Sequence, residues 1–129
     1  MTTRTILLVD DDDDLRQILV EQLSLYEEFS LLQESNATRA MQTAKTAQVD
    51  LMIMDVGLPD MDGMALTRQI RQQFPAITAR MPIIALTANT NPVERQRCLD
   101  AGMDDVLDKP MDLQTLVRSV SRHVLKARS

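Results

Sequence analysis

Short apolar runs alternate with helical periodicity along this whole chain, and that alternation constrains its fold more than any other feature. A short apolar run bounded by polar residues is typical of a buried strand. The predicted strands are Ile6–Val9, Ser30–Leu32, Leu51–Met54, Ile83–Leu86 and Val106–Leu107. Because Leu51–Met54 is apolar at every position, it indicates a strand that is buried on both faces of a sheet.

Helical spacing of apolar residues fills the intervals between these strands. The last predicted helix is the clearest, because its apolar residues follow the i, i+3, i+4, i+7, i+11 pattern. The predicted helix faces are Leu15, Ile18, Leu19 and Leu23; Ala37, Ala40, Met41 and Ala44; Leu66, Ile70 and Phe74; a helix that starts near Pro92; and Leu113, Leu116, Val117, Val120 and Val124. Strands and helices in strict alternation predict an α/β domain whose parallel sheet is covered by helices on both faces.

The composition narrows the class of protein. A length of 129 residues, 44% of them hydrophobic, predicts a single domain with one packed core. The net charge of −5 argues against broad binding to nucleic acid or to an anionic membrane. The apolar runs are far shorter than the roughly 18 residues that span a membrane, and the N-terminus lacks the apolar segment of a signal peptide. A cytoplasmic location is therefore expected.

The chain has one cysteine and one histidine. A single cysteine excludes an internal disulfide and a cysteine-built zinc site, and a single histidine disfavours Ser/His/Asp or Cys/His catalysis. Cys98 is predicted to be a half-buried packing residue. His123 is predicted to lie at the surface or at an interface, because it falls late in the last helical pattern.

Aspartate is unusually concentrated in this chain. Of the 19 acidic residues, 14 are aspartate, and 13 of these fall in three clusters. The clusters are Asp10–Asp14; Asp55, Asp60 and Asp62; and Asp100, Asp104, Asp105, Asp108 and Asp112. Acids that serve only solubility would be scattered and would include more glutamate, so this clustering indicates a site.

Two of the clusters begin where predicted strands end. Asp10 and Asp11 directly follow the first strand, and Asp55 directly follows the third. Since ligands of open parallel sheets bind beyond the carboxyl ends of the strands, these carboxylates are expected to converge. Their mutual repulsion requires a cation, and oxygen ligands without histidine or cysteine indicate a hard ion such as Mg²⁺.

Two further polar residues are expected at the same edge of the sheet. Thr87 follows the fourth strand and Lys109 follows the fifth. In a phosphoryl-transfer site of this composition a carboxylate attacks phosphorus, a metal and an ammonium neutralise charge on the transferring group, and a hydroxyl holds a phosphoryl oxygen. The five residues together therefore predict a phosphoryl-transfer site.

Four motifs resemble the receiver domain of two-component response regulators. They are Val9-Asp10-Asp11-Asp12, Asp55-Val56-Gly57-Leu58-Pro59-Asp60-Met61-Asp62-Gly63, Ile83-Ile84-Ala85-Leu86-Thr87-Ala88 and Lys109-Pro110. The motifs occur in the family's order and spacing, so the chain is expected to be one receiver domain, residues 1–129, with a core over about residues 5–125. The resemblance implies a flavodoxin-like, doubly wound (βα)5 fold with a five-stranded parallel sheet in the order 2-1-3-4-5. Residues 81–111 are most similar to the receivers of hybrid histidine kinases.

The resemblance also implies a role for each site residue. Asp55 corresponds to the phosphoacceptor, Thr87 to the switch hydroxyl, and Lys109 to the lysine that pairs with the acceptor and then with the phosphate. Asp11 corresponds to the direct Mg²⁺ ligand, and Asp10 to a ligand that acts partly through water. Asp55 itself belongs to the same metal-binding set.

Two backbone features complete the implied site. Gly57 would offer its carbonyl to the Mg²⁺ ion. Pro110 occupies the position where the family usually has a cis peptide bond, which would aim the preceding lysine into the site.

The chain departs from the family pattern at Val106, where receivers usually have Tyr or Phe as a rotamer switch. Signalling through such a ring is therefore not expected, and the output surface is predicted to respond through backbone and loop movement. The two positions that tune phosphate loss in the family hold Gly57 and Asn89.

Simpler interpretations apply to other charged residues. Asp13 and Asp14 are interpreted as first-turn acids that interact with the dipole of the first helix, and Asp12 is left open. The basic stripe of the last helix is interpreted as a complement to its C-terminal dipole, with a partner-binding face as the alternative. The stripe consists of Arg118, Arg122 and Lys126.

Capping and loop formation explain the remaining acids. Asp60, Asp62 and Gly63 are predicted to shape a loop and cap the third helix rather than bind metal. A second group is expected in a solvated loop around a short edge strand. This group is Asp104, Asp105 and Asp108.

The predicted function is that of a signalling phosphoacceptor. A phosphohistidine on a histidine kinase or a histidine phosphotransfer protein would donate its phosphoryl group to Asp55 in a Mg²⁺-dependent reaction. Phosphorylation would then change partner binding around the fourth and fifth strands and helices, or the phosphate would be relayed onward. No enzymatic activity beyond its own phosphorylation and dephosphorylation is expected, and no direct nucleic-acid or membrane contact.

Two other functions are weighed against this one. A small Mg²⁺-dependent phosphohydrolase of the haloacid-dehalogenase type needs an acid two residues after its nucleophile, and Gly57 disfavours it. A structural module that keeps the fold without accepting phosphate is suggested only by Val106. The sequence leaves open whether the chain is a stand-alone regulator or a part of a hybrid kinase, and it does not predict an oligomeric state.

Overall fold

The computed structural model describes residues 3–73, 81–109 and 112–127. The strands are β1 Arg4–Val9, β2 Phe29–Glu34, β3 Leu51–Asp55, β4 Ile83–Thr87 and β5 Asp105–Asp108. The helices are α1 Asp13–Leu23, α2 Ala37–Thr46, α3 Gly63–Gln73, α4 Pro92–Asp100 and α5 Leu113–Ala127. Strands and helices alternate through these ranges as the apolar pattern predicts.

The strands form one parallel sheet in the order β2-β1-β3-β4-β5. The doubly wound order implied by the resemblance is thereby confirmed. From β1 the chain first adds β2 on one side of the sheet. It then adds β3, β4 and β5 on the opposite side of β1, so the direction of winding reverses between β1 and β3. Val9 pairs with Met54 across this boundary, so Asp10 and Asp55, which follow them, lie at the same level of the sheet. Ligands of open sheets bind at such a reversal.

Two apolar clusters cover the two faces of the sheet, because alternate side chains of a strand point to opposite faces. On one face Leu7 and Met52 pack with α2, α3 and α4, and on the other face Leu8 and Ile53 pack with α1 and α5. These four side chains have no exposed surface. The ends of β1 and β3 are therefore held in a rigid three-layer core.

The structure corrects three burial predictions. Ile18 is 50% exposed, because the buried stripe of α1 is centred on Leu19 and Leu23 and residue 18 lies beyond its edge. Cys98 is fully buried rather than half-buried. His123 is 7% exposed rather than a surface residue, and its Nδ1 lies 2.8 Å from the Ser119 carbonyl oxygen one helical turn earlier.

Two other predictions concern the helices. The start of α4 at Pro92 is confirmed, and its weak apolar face is explained by Cys98, the one residue that the helix buries in the described chain. Phe74, predicted on the third helix, lies outside the described residues. None of the helices in the described ranges combines the length and the apolar character that crossing a membrane requires.

Candidate phosphoryl-transfer site

Four elements place the predicted site residues at one edge of the sheet. Asp55 is the last residue of β3 and Thr87 the last residue of β4. Asp10 directly follows β1, and Lys109 directly follows β5. The predicted convergence at the carboxyl ends of the strands is therefore observed.

The ammonium of Lys109 joins two of the aspartates. Its Nζ lies 3.0 Å from Asp10 Oδ2 and 3.2 Å from Asp55 Oδ1. Asp55 Oδ1 also accepts a hydrogen bond from the Gly57 N–H at 3.1 Å. Asp10 is fully buried and Asp55 is 8% exposed, so both carboxylates depend on these partners for the charge compensation that water would otherwise provide.

Asp11 completes a group of three carboxylates. One oxygen from each of Asp10, Asp11 and Asp55 lies within 4.8 Å of the other two, and Asp11 is the exposed member of the group. Three carboxylates and one ammonium leave a formal charge of −3 + 1 = −2 at this point. A set of hard oxygen donors with this charge fits Mg²⁺, which takes a few carboxylates and fills its other positions with water or phosphate.

Burial and neighbouring charges shift the ionisation of these groups. Burial raises the pKa of Asp55, and the negative charge of Asp10 adds to the rise, while the Gly57 N–H and Lys109 oppose it. Burial alone would lower the pKa of Lys109, but its hydrogen bond to Asp10 and the charges of Asp10 and Asp55 outweigh burial, and the pKa is raised. Lys109 is therefore a permanent cation at neutral pH, and Asp55 is a poorly solvated carboxylate beside it.

Thr87 lies at the same edge but turns its hydroxyl to the loop that follows β4. The residue is 6% exposed, and its Oγ1 accepts a hydrogen bond from the Asn89 N–H at 3.1 Å. Asn89 Oδ1 in turn accepts from both the backbone N–H and the side-chain Nδ2 of Asn91. Asn91 is the N-cap of α4, where its side chain accepts from the Glu94 N–H. Thr87 is thus connected to the start of α4 through three consecutive contacts.

Val106 and Pro110 are the other predicted conformational residues. Val106 is 3% exposed and packs in the cluster that includes α4, and its carbonyl oxygen accepts a hydrogen bond from Arg95 Nη1 at 3.0 Å. A guanidinium from α4 therefore contacts β5 at the residue where the family usually has an aromatic ring. Pro110 lies outside the described residues.

Three of the remaining aspartates accept hydrogen bonds from backbone N–H groups at the starts of helices. Asp12, left open by the sequence, is the N-cap of α1 and accepts from the Leu15 N–H at 3.1 Å. Asp62 accepts from the Met64 N–H at 2.6 Å, as predicted for a cap of α3. Asp60 differs from its prediction, because its carboxylate accepts from the backbone N–H groups of Ala37 and Thr38 at the start of α2. These hydrogen bonds lower the pKa of Asp60 to about 2.

Asp105 also differs from its prediction, since it is 8% exposed rather than part of a solvated loop. Its Oδ2 accepts from Ser119 Oγ at 2.6 Å and from Arg122 Nη2 at 2.9 Å, both on α5. Burial would raise the pKa of Asp105, but the hydrogen bonds from Ser119 and the Val106 N–H and the positive charge of Arg122 outweigh it, and the pKa is lowered. One residue of the predicted basic stripe therefore serves an ion pair within the chain, while Arg118 is exposed.

Comparisons with known proteins identify the family. Residues 6–121 match the sequence model of the response regulator receiver domain. The chain is 32% identical over 123 residues to the sensor histidine kinase RcsC of Escherichia coli K12, covering 95% of this chain and 12% of that protein. It is 35% identical over 118 residues to the sensor protein EvgS of the same strain, covering 92% of this chain and 9% of that protein.

Among solved structures, the chemotaxis response regulator CheY4 of Vibrio cholerae matches with a TM-score of 0.87 and 28% identity, over 95% of this chain and 99% of that one. The chain spans 12% or less of the length of these two sensor proteins. The sequence match and the fold point to the same family. The chain therefore belongs to the response regulator receiver domains and is a phosphoacceptor of two-component signalling.

Proposed function

We propose that Asp55 is the residue that takes the phosphoryl group, from a phosphohistidine on a partner protein. The observation that carries this proposal is the Lys109 ammonium lying between Asp10 and Asp55, 3.0 and 3.2 Å from their oxygens. In the reaction, an Asp55 oxygen forms the new bond to phosphorus while the bond from phosphorus to the histidine nitrogen breaks, and the electron pair leaves with the imidazole. Lys109 is then placed to move from the carboxylate to the oxygens of the phosphoryl group.

Asp10, Asp11 and Asp55 are proposed to hold a Mg²⁺ ion, together with the Gly57 backbone carbonyl. In this set Asp11 would ligate the metal directly and Asp10 would act partly through water. When bound, the ion supplies charge neutralisation for the phosphoryl oxygens. The burial of Asp10 and the exposure of Asp11 support this division, because the exposed carboxylate is free to approach a hydrated ion.

Thr87 is proposed to carry the phosphorylation signal to α4. Its hydroxyl donates its one proton to the Asn89 carbonyl oxygen at 3.3 Å, so it cannot donate to a phosphoryl oxygen at the same time, and one arrangement must replace the other. The contacts from Asn89 to Asn91 then pass the change to the cap of α4. Val106 fits this route, since the connection runs through loop hydrogen bonds and needs no aromatic ring. Pro110 is proposed to aim Lys109 into the site.

The partner is proposed to be a histidine kinase or a histidine phosphotransfer protein, without direct contact with nucleic acid or membrane. The similarity to receiver segments of RcsC and EvgS supports an origin in a hybrid kinase. We further propose that residues 1–129 form one domain and that its only catalysis is its own phosphorylation and dephosphorylation. The cytoplasmic location expected from the sequence remains a prediction.

Chemical phosphorylation tests the assignment of Asp55. The protein is incubated with acetyl phosphate and Mg²⁺, and the intact mass is followed for wild type, Asp55→Asn and Asp100→Asn. Asp100 is an exposed aspartate on α4 outside the carboxylate group, so its variant is a matched control. We expect a single phosphoryl adduct, stable in acid and labile in base, on wild type and Asp100→Asn. No adduct should form when Mg²⁺ is left out of the incubation.

Equal labelling of Asp55→Asn would contradict the assignment, and the absence of any adduct on wild type would favour a structural module. Rapid hydrolysis of small phosphate esters by wild type would instead favour a phosphohydrolase.

A further inference from the structure

Arg16 lies on the second turn of α1 and reaches back to the end of β1. Its Nη1 donates a hydrogen bond to the Asp10 carbonyl oxygen at 2.6 Å, and its Nε donates to Gln33 Oε1 at 3.1 Å. Its Nη2 pairs with Asp13 Oδ1 at 2.6 Å. The Arg16 side chain is only 16% exposed, so the guanidinium is held among these partners rather than in solvent.

The contact with Asp10 occurs at the end of β1, where the Asp10 N–H still donates to the Glu34 carbonyl oxygen at 3.2 Å but the strand pairing goes no further. The β1–β2 pairing ends at Val9 and Glu34, one residue before Asp10. Beyond that point the Asp10 carboxylate accepts from the Asp12 N–H at 2.9 Å, and the Asp10 carbonyl accepts from Arg16. The carbonyl of the peptide unit between Asp10 and Asp11 is thus held by the Arg16 side chain, and this peptide unit connects the two carboxylates.

The hydrogen bond of Arg16 to Asp10 supports the arrangement of the carboxylates, but its positive charge acts against a cation bound at this site. A guanidinium near the carboxylates repels Mg²⁺, although Asp13 offsets part of its charge. Removal of the charge should therefore strengthen metal binding if electrostatics alone mattered. Removal of the hydrogen bond to Asp10 should weaken it if the backbone position mattered, so the two effects differ in sign.

We propose that Arg16 is a positioning residue of the magnesium site, which it supports by fixing the peptide unit between Asp10 and Asp11. The proposal rests on the proposed function, because it takes these two aspartates as metal ligands. Arg16 does not touch the ion or the phosphoryl group. Residues that orient ligands in this way typically change metal affinity by 10- to 100-fold.

The test is the Mg²⁺ affinity measured by isothermal titration calorimetry at neutral pH. We expect Arg16→Gln to bind Mg²⁺ about tenfold more weakly than wild type, although it removes a positive charge. Arg16→Lys keeps the charge but has one donor group in place of a fork, and its affinity should be intermediate. The rate of labelling by acetyl phosphate should fall for Arg16→Gln at low Mg²⁺ and return to near the wild-type rate at saturating Mg²⁺.

Two variants separate this role from a general effect on the fold. Arg97→Gln removes an exposed i,i+3 ion pair with Glu94 on α4, and Gln33→Ala removes the link from Arg16 to β2 but leaves the Asp10 contact in place. Both should bind Mg²⁺ like wild type. Circular dichroism melting confirms that each variant is folded at the titration temperature.

Unchanged or tighter Mg²⁺ binding by folded Arg16→Gln would overturn the positioning role while leaving the function of Asp55 intact. Weakening of the same size in Gln33→Ala would assign the effect to the packing of α1 on β2 and would also overturn it. If wild type binds no Mg²⁺, the proposed metal site and the role of Arg16 both fail.

Discussion

Asp55 and Asp60 lie in the same loop region, yet their carboxylates have opposite properties because they meet different partners. Burial and the charge of Asp10 raise the pKa of Asp55. Asp60 is exposed, and the N–H groups of Ala37 and Thr38 at the start of α2 lower its pKa to about 2. The charged form of Asp55 is therefore disfavoured, whereas the carboxylate of Asp60 connects the loop after β3 to the positive end of α2.

The pKa of Asp60 predicts a pH-dependent stabilisation. Since it is about 2 in the folded chain and 3.8 ordinarily, the stabilisation is present at neutral pH and is lost as the pH falls through 2. Asp60→Asn should therefore unfold at lower urea concentration than wild type at pH 7, and the difference should close toward pH 2. Urea titrations at pH 7, 4 and 2 measure this, and an NMR titration gives the pKa directly. A difference that stays constant over this range, or a pKa near 4, would contradict the assignment.

The sequence predicts the bounds of β3 and β4 more closely than those of the other strands. β3 and β4 each extend one residue beyond the predicted run, because both faces are buried and every position but the last is apolar. β2 is predicted at 30–32 but spans Phe29–Glu34, since an edge strand exposes alternate residues and its apolar run understates its length. Local periodicity therefore gives the order of elements and the sheet edge where the site lies.

Contacts between distant segments are what periodicity could not reveal. Asp60 caps a helix that begins 23 residues earlier, and Ser119 meets Asp105 across 14 residues. Arg16 reaches the Asp10 carbonyl only because α1 folds back beside β1. These side chains have several possible partners in the sequence, and the fold selects one of them.

The contacts from Thr87 through Asn89 and Asn91 to α4 predict a variant in which phosphorylation no longer affects α4. Asn89→Ala removes the side-chain acceptor for Asn91 but keeps the backbone bond to Thr87. Phosphorylation should change amide hydrogen exchange in the first turn of α4 in wild type, and we expect this change to be much smaller in Asn89→Ala. Loss of the cap itself in Asn91→Ala should cost about 1 kcal/mol and speed exchange in α4 about fivefold in the unphosphorylated protein.

Asn36→Ala is the matched control, because Asn36 is the N-cap of α2. It should speed exchange in α2 and leave the response of α4 to phosphorylation unchanged. A full response of α4 in Asn89→Ala would show that the signal reaches the helix by another path.

Charge is unevenly distributed over the molecule. The chain carries −5, and Asp10, Asp11, Asp55 and Lys109 together carry −3 + 1 = −2, so the remaining residues carry only −5 − (−2) = −3. Repulsion at the site opposes folding when no cation is bound. Stability and metal binding should therefore be linked through this one cluster rather than through the general acidity of the surface.

This linkage predicts the effect of Mg²⁺ on thermal unfolding. At 100 times its Kd, Mg²⁺ should stabilise the wild type by about 2.7 kcal/mol, which for a chain of this length raises Tm by roughly 10 °C. Asp11→Asn removes the exposed carboxylate without breaking the Lys109 pairs, so its metal-free Tm should exceed that of wild type while its rise with Mg²⁺ is largely lost. Differential scanning calorimetry with and without EDTA measures both, and Asp100→Asn, with the same charge change outside the cluster, should respond to Mg²⁺ like wild type. An equal rise in Asp11→Asn would mean that the ion stabilises the fold without this carboxylate.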